Sequence, residues 1–472
     1  MIIKKPKLPF WQIWNMNFGF FGIQFSFGLQ QSNMSAIYKY LGANEADMPL
    51  LWLAGPVTGL LVQPVIGAMS DGTWTPRFGR RKPFFLLGAI IASIALVMMP
   101  YSGTIWMAAS LLWMLDAANN IAMEPYRAFV SDKLHKKQHS LGFLMQSFFT
   151  GFGITLANFT PAILVSLGFF ALTDKMDNGI PVSTYWAFGI GAIASITSVL
   201  ISVFTTKEFP PDTKELKRLQ EEKSKGNLVV RTWMDISEAF KQMPPAMKQL
   251  IPVKFFSWYA LFCYWMYLTS TLAITQYGIP LEDINIEEVI STSSAYASSQ
   301  ILTGQVNSTY NIICFLIAFA QVPLARKIGA KGVHFVSLLV GGIAILSIPL
   351  LDHGTVLFPL PNPFGVESMA ISELYLAAFG QGLTWASMMP MPYQLLAGAV
   401  PANKTGVYMG IFNMFIVIPM ILQILTVQFF VYDLLEKDPV NVIRLAGVFL
   451  ILASIFTLFI KTRTRTAEYF DK

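Results

Sequence analysis

The 472-residue sequence contains little charge and almost no cysteine. Only 13% of its residues are charged, against roughly 25% in an ordinary soluble domain, while 54% are apolar. This balance excludes a soluble enzyme and a disordered chain. The two cysteines, Cys263 and Cys314, both lie inside apolar runs, so we expect no disulfide and exclude a secreted disulfide scaffold.

Histidine is also scarce. The four histidines, His135, His139, His334 and His353, fall in loops or at the ends of apolar runs. No apolar run contains a His-based catalytic pair or a cluster with the spacing of metal ligands. The sequence therefore argues against an enzyme with a catalytic site inside the membrane, and it predicts neither a metal site nor a cofactor.

The abundant apolar residues form long runs separated by Gly, Pro and charge clusters. A membrane-spanning helix needs about 20 such residues, and the runs predict an all-α membrane protein with twelve transmembrane helices. The predicted spans are residues 12–38, 49–70, 83–101, 105–131, 141–168, 183–205, 250–275, 306–324, 332–351, 369–396, 405–431 and 441–461.

Lysine and arginine are distributed unequally between the loops on the two sides of these spans. Of the 33 cations, 28 fall on the side of the N-terminus, including ten from Lys207 to Lys254, and three fall on the other: Lys39, Lys175 and Lys437. This asymmetry predicts an integral plasma (inner) membrane protein with both termini cytoplasmic. The positive charge meets anionic lipid headgroups, so no nucleic-acid partner is needed to explain it.

The longest polar stretch divides the spans into six and six. We predict an N-terminal six-helix bundle over 1–205, a cytoplasmic linker with amphipathic helices over 206–248, and a C-terminal six-helix bundle over 249–472. An external loop near 276–305 is acidic and then serine-rich, and the sequence assigns it no role.

The two predicted halves resemble each other. Residues 124–128 read Glu-Pro-Tyr-Arg-Ala and residues 391–395 read Met-Pro-Tyr-Gln-Leu, at the ends of the fourth and tenth spans. Basic loops at 77–82 and 326–331 follow the second and eighth spans. Two matches in the same order indicate a duplicated six-span unit. Many secondary transporters are built this way and work by alternating access.

The loop after the second span is the most specific motif. Residues 67–71 read Gly-Ala-Met-Ser-Asp and residues 77–82 read Arg-Phe-Gly-Arg-Arg-Lys, which resembles the loop signature of the major facilitator superfamily. A carboxylate at one helix end can pair with a guanidinium on a neighbouring helix and hold a gate shut. The candidate gate residues are Asp71, Arg77, Arg80 and Arg81. The alternative is a purely topological anchor.

The fourth span carries charges inside the membrane, where they are costly and usually functional. Asp116, Asn120, Met123 and Arg127 fall on one helix face, with Asp116 and Arg127 roughly 16 Å apart. The depth of Asp116 suits a coupling-ion or substrate site. Arg127 is nearer the inner end, where snorkelling to headgroups is the alternative. Glu124 either pairs with Arg127 or contributes separately.

Amides and aromatic rings in the spans suit a sugar. Intramembrane amides also join helices, so each one has a structural alternative. The candidate substrate-binding residues besides Arg127 are Gln24, Gln30, Asn120, Asn158, Trp385, Gln394 and Asn413.

Several stretches together resemble the sucrose transporters of plants and their animal and bacterial relatives, close to the glycoside–pentoside–hexuronide symporters. The matching runs are 22–30, 51–64, 77–82 and 116–127. The resemblance implies that Asp116 is the proton-coupling carboxylate and that Arg127 takes part in sugar binding. The second span contains no acidic residue, which favours protons over the Na⁺ of melibiose-type relatives.

We therefore expect a proton-coupled symporter, functional as a monomer, that imports a small glycoside such as sucrose or maltose. The resemblance weakens after residue 132. The charged cluster that opens the eighth span of plant members is replaced here by Gly-Gln-Val-Asn-Ser at 304–308. Two alternatives stay open: a transport-dead membrane sugar sensor and a proton-driven exporter of amphiphilic compounds.

Overall fold

Helices form most of the chain in a computed structural model. The structure describes residues 6–71, 73–76, 78–135, 138–208, 241, 243–359, 370–388, 390–396 and 405–461. Helices α1 to α6 are Phe10–Tyr40, Ala54–Asp71, Lys82–Met98, Ile105–Lys133, His139–Ser166 and Val182–Thr205. Helices α7 to α12 are Pro245–Tyr277, Ser294–Ser347, Leu374–Met388, Pro390–Leu396, Thr405–Thr426 and Pro439–Leu458.

Short elements connect these helices. Strands β1 (Val356–Pro359) and β2 (Ala370–Ser372) pair antiparallel, with Phe358 opposite Ile371. The short helical segments are Glu45–Asp47, Met48–Leu51, Met99–Tyr101, Leu281–Asn285, Glu287–Thr292, Ile348–Leu350, Val427–Val431 and Tyr432–Leu434.

The helices coincide with the apolar runs of the sequence. By length and composition, seven helical stretches of the described chain are apolar enough to cross a membrane. Helix α4 is 29 residues long but is not among them, and its interior carries Asp116, Glu124 and Arg127. The mostly helical membrane fold is confirmed, and the number of twelve spans stays a prediction.

Several predicted boundaries are wrong by five residues or more, and two of them have a visible local cause. Helix α8 begins at Ser294, twelve residues before the predicted start at 306, because the Ser293 hydroxyl caps it by accepting from the Tyr296 main-chain N–H. Helix α9 begins at Leu374, since residues 370–372 pair as a strand. Within α8 the non-helical Gly329 (φ 77°) separates two helices, as the predicted break between the eighth and ninth spans requires.

The chain divides into two compact units. The first contains residues 1–34, 54–160 and 182–234, and the second contains 35–53, 161–181 and 235–472. Most of the predicted linker, 209–240, lies outside the described residues, so the domain boundaries stay a prediction.

An aromatic cluster in the first unit fixes α4 against α1 and α3. The Tyr126 ring stacks on Phe85 with centroids 4.3 Å apart. Its hydroxyl donates to the main-chain oxygen of Met16 at 2.7 Å and accepts from the Gly19 N–H at 3.1 Å. Helices α3 and α4 approach so closely at Gly88 that a Cβ there would lie 2.6 Å from the Ala118 carbonyl oxygen. The packing holds the polar face of α4 in place.

Candidate functional site

The carboxyl of Asp116 is the buried acidic group of the first unit. Its residue is 1% exposed, and its Oδ1 accepts a hydrogen bond of 2.7 Å from Gln30 Nε2 on α1. Among the described residues, Oδ2 has no hydrogen-bond partner, and neither has Gln30 Oε1. Native buried polar atoms are nearly always paired. This pair of free acceptors therefore marks a place for a proton or a ligand.

Asn120, one turn along α4 from Asp116, joins α4 to α2. Its Nδ2 donates to the Asp116 main-chain oxygen at 2.9 Å and to Thr58 Oγ1 at 3.1 Å. Its Oδ1 accepts from Gln63 Nε2 at 2.7 Å. Both oxygen and nitrogen of the Asn120 amide are therefore occupied, and its observed role is to hold α2 against α4.

Gly55 on α2 faces the free oxygen of the carboxyl. A Cβ at this position would lie 3.5 Å from Asp116 Oδ2, which is ordinary van der Waals contact. The glycine leaves this side of the carboxyl without a side chain. Gln30 on α1 and Gly55 on α2 thus lie beside an acidic group of α4 that has one oxygen available among the described residues.

The remaining predicted residues of the first unit contact a methionine sulfur or a serine hydroxyl. Gln24 donates to the Met123 sulfur at 3.8 Å, and the exposed Arg127 donates to the same sulfur at 3.6 Å. The Oδ1 of Asn158 accepts from Ser32 at 2.8 Å, while its Nδ2 has no partner among the described residues.

The possible ion pair between Glu124 and Arg127 is not formed in the described part of the chain. The Arg127 guanidinium contacts the Met123 sulfur instead. Glu124 and Arg127 are three positions apart on α4, so their side chains are neighbours on the helix surface. Proximity on a helix does not by itself orient a guanidinium toward a carboxylate. This alternative for Glu124 is wrong in the observed structure.

Trp385 and Asn413 belong to the second unit. The Trp385 ring contacts Trp258 and Trp265 at centroid distances of 5.9 and 5.7 Å. The indole N–H groups of Trp258 and Trp265 are buried without a hydrogen-bond partner among the described residues. Asn413 is half-buried on α11. The side chain of Gln394 lies outside the described residues.

The basic loop after α2 is built around Arg81. This residue is 4% exposed, and its Nε donates to Asp132 Oδ2 at 2.7 Å at the end of α4. Its Nη1 donates to the Ser70 hydroxyl at 2.6 Å. The side chain of Asp71 and all of Arg77 lie outside the described residues. Among the described residues, Asp132 is a carboxylate partner of Arg81, which the sequence motif alone did not indicate.

A second carboxylate, that of Glu208, accepts hydrogen bonds from the main chain of the same loop. Its oxygens accept from the main-chain N–H groups of Arg80 at 2.8 Å, Arg81 at 3.0 Å and Lys82 at 3.1 Å. The first N–H groups of a helix have no acceptor within the helix itself, and a negative charge is favourable there, as Glu208 is at the start of α3. Gly79 has φ +80°, and a Cβ there would lie 2.5 Å from the Glu208 carboxyl carbon, so only glycine fits.

The sequence contains only a weak indication that Asp132 and Glu208 bind the basic loop. Asp132 and Glu208 follow the fourth and sixth apolar runs directly, at the side where the basic loop lies. Acidic residues among many cations at helix ends suggest pairing, but the spacing does not say which pairs form.

Comparisons with known proteins place the chain in a family. The model of the Major Facilitator Superfamily matches residues 16–424. A sucrose transport protein, SUC3 of Arabidopsis thaliana, is 24% identical over 476 residues, covering 84% of this chain and 79% of the relative. Sucrose transport protein SUT1 of Oryza sativa subsp. japonica is 24% identical over 457 residues, covering 85% and 78%.

Solved structures share the fold at low identity. The nucleoside transporter NupG covers 96% of this chain and 100% of its own, with TM-score 0.62 and 15% identity. A peptide transporter POT in complex with sulfate covers 97% and 96%, with TM-score 0.64 and 12% identity. The family model spans most of the helices, the surroundings of Asp116 and the basic loop after α2. The chain is accordingly an integral membrane protein of the Major Facilitator Superfamily.

Proposed function

We propose that this protein is a proton-coupled sugar symporter, which imports a small glycoside such as sucrose or maltose by alternating access. One observation carries the proposal: the buried Asp116 carboxyl has a free oxygen beside Gln30. Removing a charged carboxylate from water is costly, so gaining and losing a proton changes the stability of the buried group. The similarity to proteins named sucrose transport proteins supports a disaccharide as cargo.

In the proposed cycle, Asp116 takes a proton from the outer side. Its hydroxyl then donates to Gln30 Oε1 or to a sugar oxygen, which satisfies an acceptor that is free in the observed structure. The neutral carrier reorients with sugar bound, and proton release on the inner side returns it. The proposed sugar-binding residues are Gln24, Gln30, Asn120, Asn158, Arg127, Trp385, Gln394 and Asn413.

The remaining features of the proposal follow from the sequence. Arg81, with Asp71, Arg77 and Arg80, forms the gate, and we add Asp132 and Glu208 to it. The domains are 1–205, 206–248 and 249–472, with the middle segment a cytoplasmic linker. The protein acts as a monomer in the plasma (inner) membrane with both termini cytoplasmic, and its coupling ion is H⁺.

Reconstitution tests this function directly. Purified protein in liposomes is offered a panel of labelled mono- and disaccharides, with and without an imposed inward proton gradient. We expect gradient-driven accumulation of at least one disaccharide. Sugar binding without any flux would favour the membrane sensor. Efflux of amphiphilic compounds without sugar accumulation would favour the exporter.

Arg127→Lys separates a sugar ligand from a membrane anchor. A planar guanidinium donates two hydrogen bonds to neighbouring hydroxyls, which an ammonium cannot reproduce. As a ligand, Arg127 should lose about 1–3 kcal/mol of sugar affinity on this change. As an anchor, it needs only charge and length. Binding of the identified sugar to purified protein measures the difference, and parental affinity in the variant would remove Arg127 from the site.

Arg81→Gln should shift the resting population between inward-open and outward-open forms. The change removes the bonds to Asp132 and Ser70, and each charge-assisted bond contributes about 1–3 kcal/mol. Labelling of single-cysteine probes on the two sides, in a background lacking Cys263 and Cys314, reports the populations.

The exposed Arg444 provides a matched control for the gate, because among the described residues its guanidinium donates only to the neighbouring Asn441 on α12. Arg444→Gln should leave the labelling unchanged. If Arg81→Gln leaves it unchanged as well, the loop is only a topological anchor.

A further inference from the structure

The last turns of α1 pack within the second unit, although the rest of that helix belongs to the first. Residues 1–34 are part of the first unit and residues 35–53 are part of the second. Helix α1 is continuous from Phe10 to Tyr40, and in the proposed topology its end lies on the outer side. Residues 35–53 of the predicted N-terminal bundle therefore pack against residues of the predicted C-terminal bundle.

Lys39 and Glu45 form a charged pair at this end of α1. The Lys39 ammonium lies 3.5 Å from the Glu45 carboxylate, and both side chains are at most 1% exposed. Lys39 Nζ also donates to Asn285 Oδ1 at 3.0 Å, and the Glu45 main-chain N–H donates to the same oxygen at 2.9 Å. Asn285 ends the helical turn that begins at Leu281, and it is exposed. The buried ion pair is thus bonded to a residue at the surface.

Helix α7 contributes two hydroxyl groups to Glu45. The Ser270 hydroxyl donates to the Glu45 carboxylate, and the Tyr267 hydroxyl donates to the Glu45 main-chain oxygen at 3.2 Å. Earlier in α1, the Ser35 hydroxyl donates to the main-chain oxygen of Met266 at 3.0 Å. Hydrogen bonds to α7 therefore hold both the end of α1 and the turn that follows it.

Helix α8 binds the last residue of α1. The Tyr40 hydroxyl donates to Gln300 Oε1 at 2.9 Å. The Tyr40 ring meets the Tyr296 ring edge to face, with centroids 5.5 Å apart. Tyr40 and Tyr296 are at most 1% exposed. This contact is buried, like the ion pair beside it.

The two opposite charges of this contact lie on the same side of it. Lys39 and Glu45 both belong to residues 35–53, whereas their partners Tyr267, Ser270 and Asn285 are neutral. Separating a buried charge from its countercharge is costly. When residues 35–53 move away from α7 and α8, the ion pair stays together, so no charge loses its countercharge. Water can replace the hydrogen bonds that break, which makes the contact reversible at modest cost.

We propose that residues 35–45 are the latch of an outer gate. The latch binds Ser270, Asn285 and Gln300 in the observed structure and releases them whenever the carrier opens to the outside. This inference rests on the alternating access of the proposed function. It adds a gate on the side opposite the basic loop after α2.

A single cysteine at Thr271 reports the latch without any sugar. Thr271 lies one turn after Tyr267 on α7 and is 0% exposed. Its hydroxyl has no hydrogen-bond partner among the described residues, so Thr271→Cys removes no observed bond. In a background lacking Cys263 and Cys314, a water-soluble maleimide should label this cysteine slowly while the latch is closed.

Tyr40→Phe should raise the labelling rate at this cysteine about fivefold. The variant keeps the ring but loses the hydrogen bond to Gln300, which shifts the latch toward its open form. Tyr432→Phe is the matched control, because the buried Tyr432 hydroxyl has no hydrogen-bond partner among the described residues. Its labelling rate should equal that of the parent. A parental rate in Tyr40→Phe, or an equal rise in Tyr432→Phe, would overturn the proposal.

A reversible cross-link tests whether the latch must open during transport. Tyr40→Cys and Gln300→Cys are combined in the same background and bridged with a bis-methanethiosulfonate reagent. We expect the bridged protein to lose sugar counterflow and thiol reduction to restore it. The cysteine-free parent, treated with the same reagent, should keep its counterflow.

The two experiments distinguish failure of the latch from failure of the proposed function. Counterflow that persists in the bridged protein would overturn the latch and leave the sugar function intact. If the parent moves no sugar of the panel, the proposed cargo is wrong. The labelling difference between Tyr40→Phe and Tyr432→Phe then still decides whether the latch exists, because that measurement requires no substrate.

Discussion

Asp116→Asn should abolish proton-driven sugar accumulation while leaving sugar exchange measurable. The amide has nearly the shape of the carboxyl and can still accept from Gln30 Nε2, so folding and sugar contact are retained. It cannot gain or lose a proton, however, and the gradient then has no group through which to act. Uptake into liposomes under an imposed pH gradient measures accumulation, and counterflow of labelled sugar measures exchange.

Asp433→Asn is the matched control for this experiment. The Asp433 carboxylate is 69% exposed, and in the described part of the chain it pairs only with the exposed Lys437 one turn away. Exposed pairs of this kind contribute about 0–1 kcal/mol, so the variant should accumulate sugar like the parent. Full accumulation by Asp116→Asn would remove Asp116 as the coupling group, and loss of both exchange and accumulation would make it a sugar ligand instead.

Lys39→Met should destabilise the second unit strongly. The Lys39 ammonium lies 3.5 Å from the Glu45 carboxylate, with both side chains at most 1% exposed. It also donates to Asn285 at 3.0 Å, and the Ser270 hydroxyl donates to Glu45. Removing one partner leaves a buried charge uncompensated, which costs about 3–5 kcal/mol. The melting temperature of the purified protein reports this loss.

The double variant Lys39→Met with Glu45→Gln distinguishes this cause from a simple packing defect. It removes both charges, so most of the lost stability should return. Glu45→Gln keeps hydrogen bonding with Ser270 possible. If the double variant melts no higher than Lys39→Met, the charge of Glu45 is not what destabilises the single variant.

These residues also give a role to the acidic loop near 276–305, which the sequence left without one. Asn285 accepts from both the Lys39 ammonium and the Glu45 main-chain N–H, at 3.0 and 2.9 Å. Lys175 donates to the main-chain oxygens of Ser291 and Ser293 at 2.6 and 3.1 Å. Within the second unit, the loop therefore forms hydrogen bonds with residues 35–53 and 161–181.

The local pattern of the sequence was sufficient for the helices and for the most informative acidic residue. Hydropathy depends on residues close in the chain, so long apolar runs predicted where the helices lie. An acidic residue inside such a run is costly wherever the run packs, which identified Asp116 without any knowledge of its neighbours. Polar helix residues carry no such signal, and the early start of α8 at Ser294 was missed for that reason.

The pairing of polar groups was decided only by the tertiary structure. Gln30 and Asp116 are 86 residues apart, Arg81 and Asp132 are 51 apart, and Lys254 and Met388 are 134 apart. Charge counting grouped Lys254 with the loop cations, and the loop motif did not indicate that Asp132 pairs with Arg81. A hydrogen bond between helices depends on which helices pack together and how each is rotated about its axis. The pattern of residues within a single helix specifies neither. The sequence by itself determined a helical membrane protein with a buried carboxyl, and the packing decided which groups satisfy it and which atoms stay free.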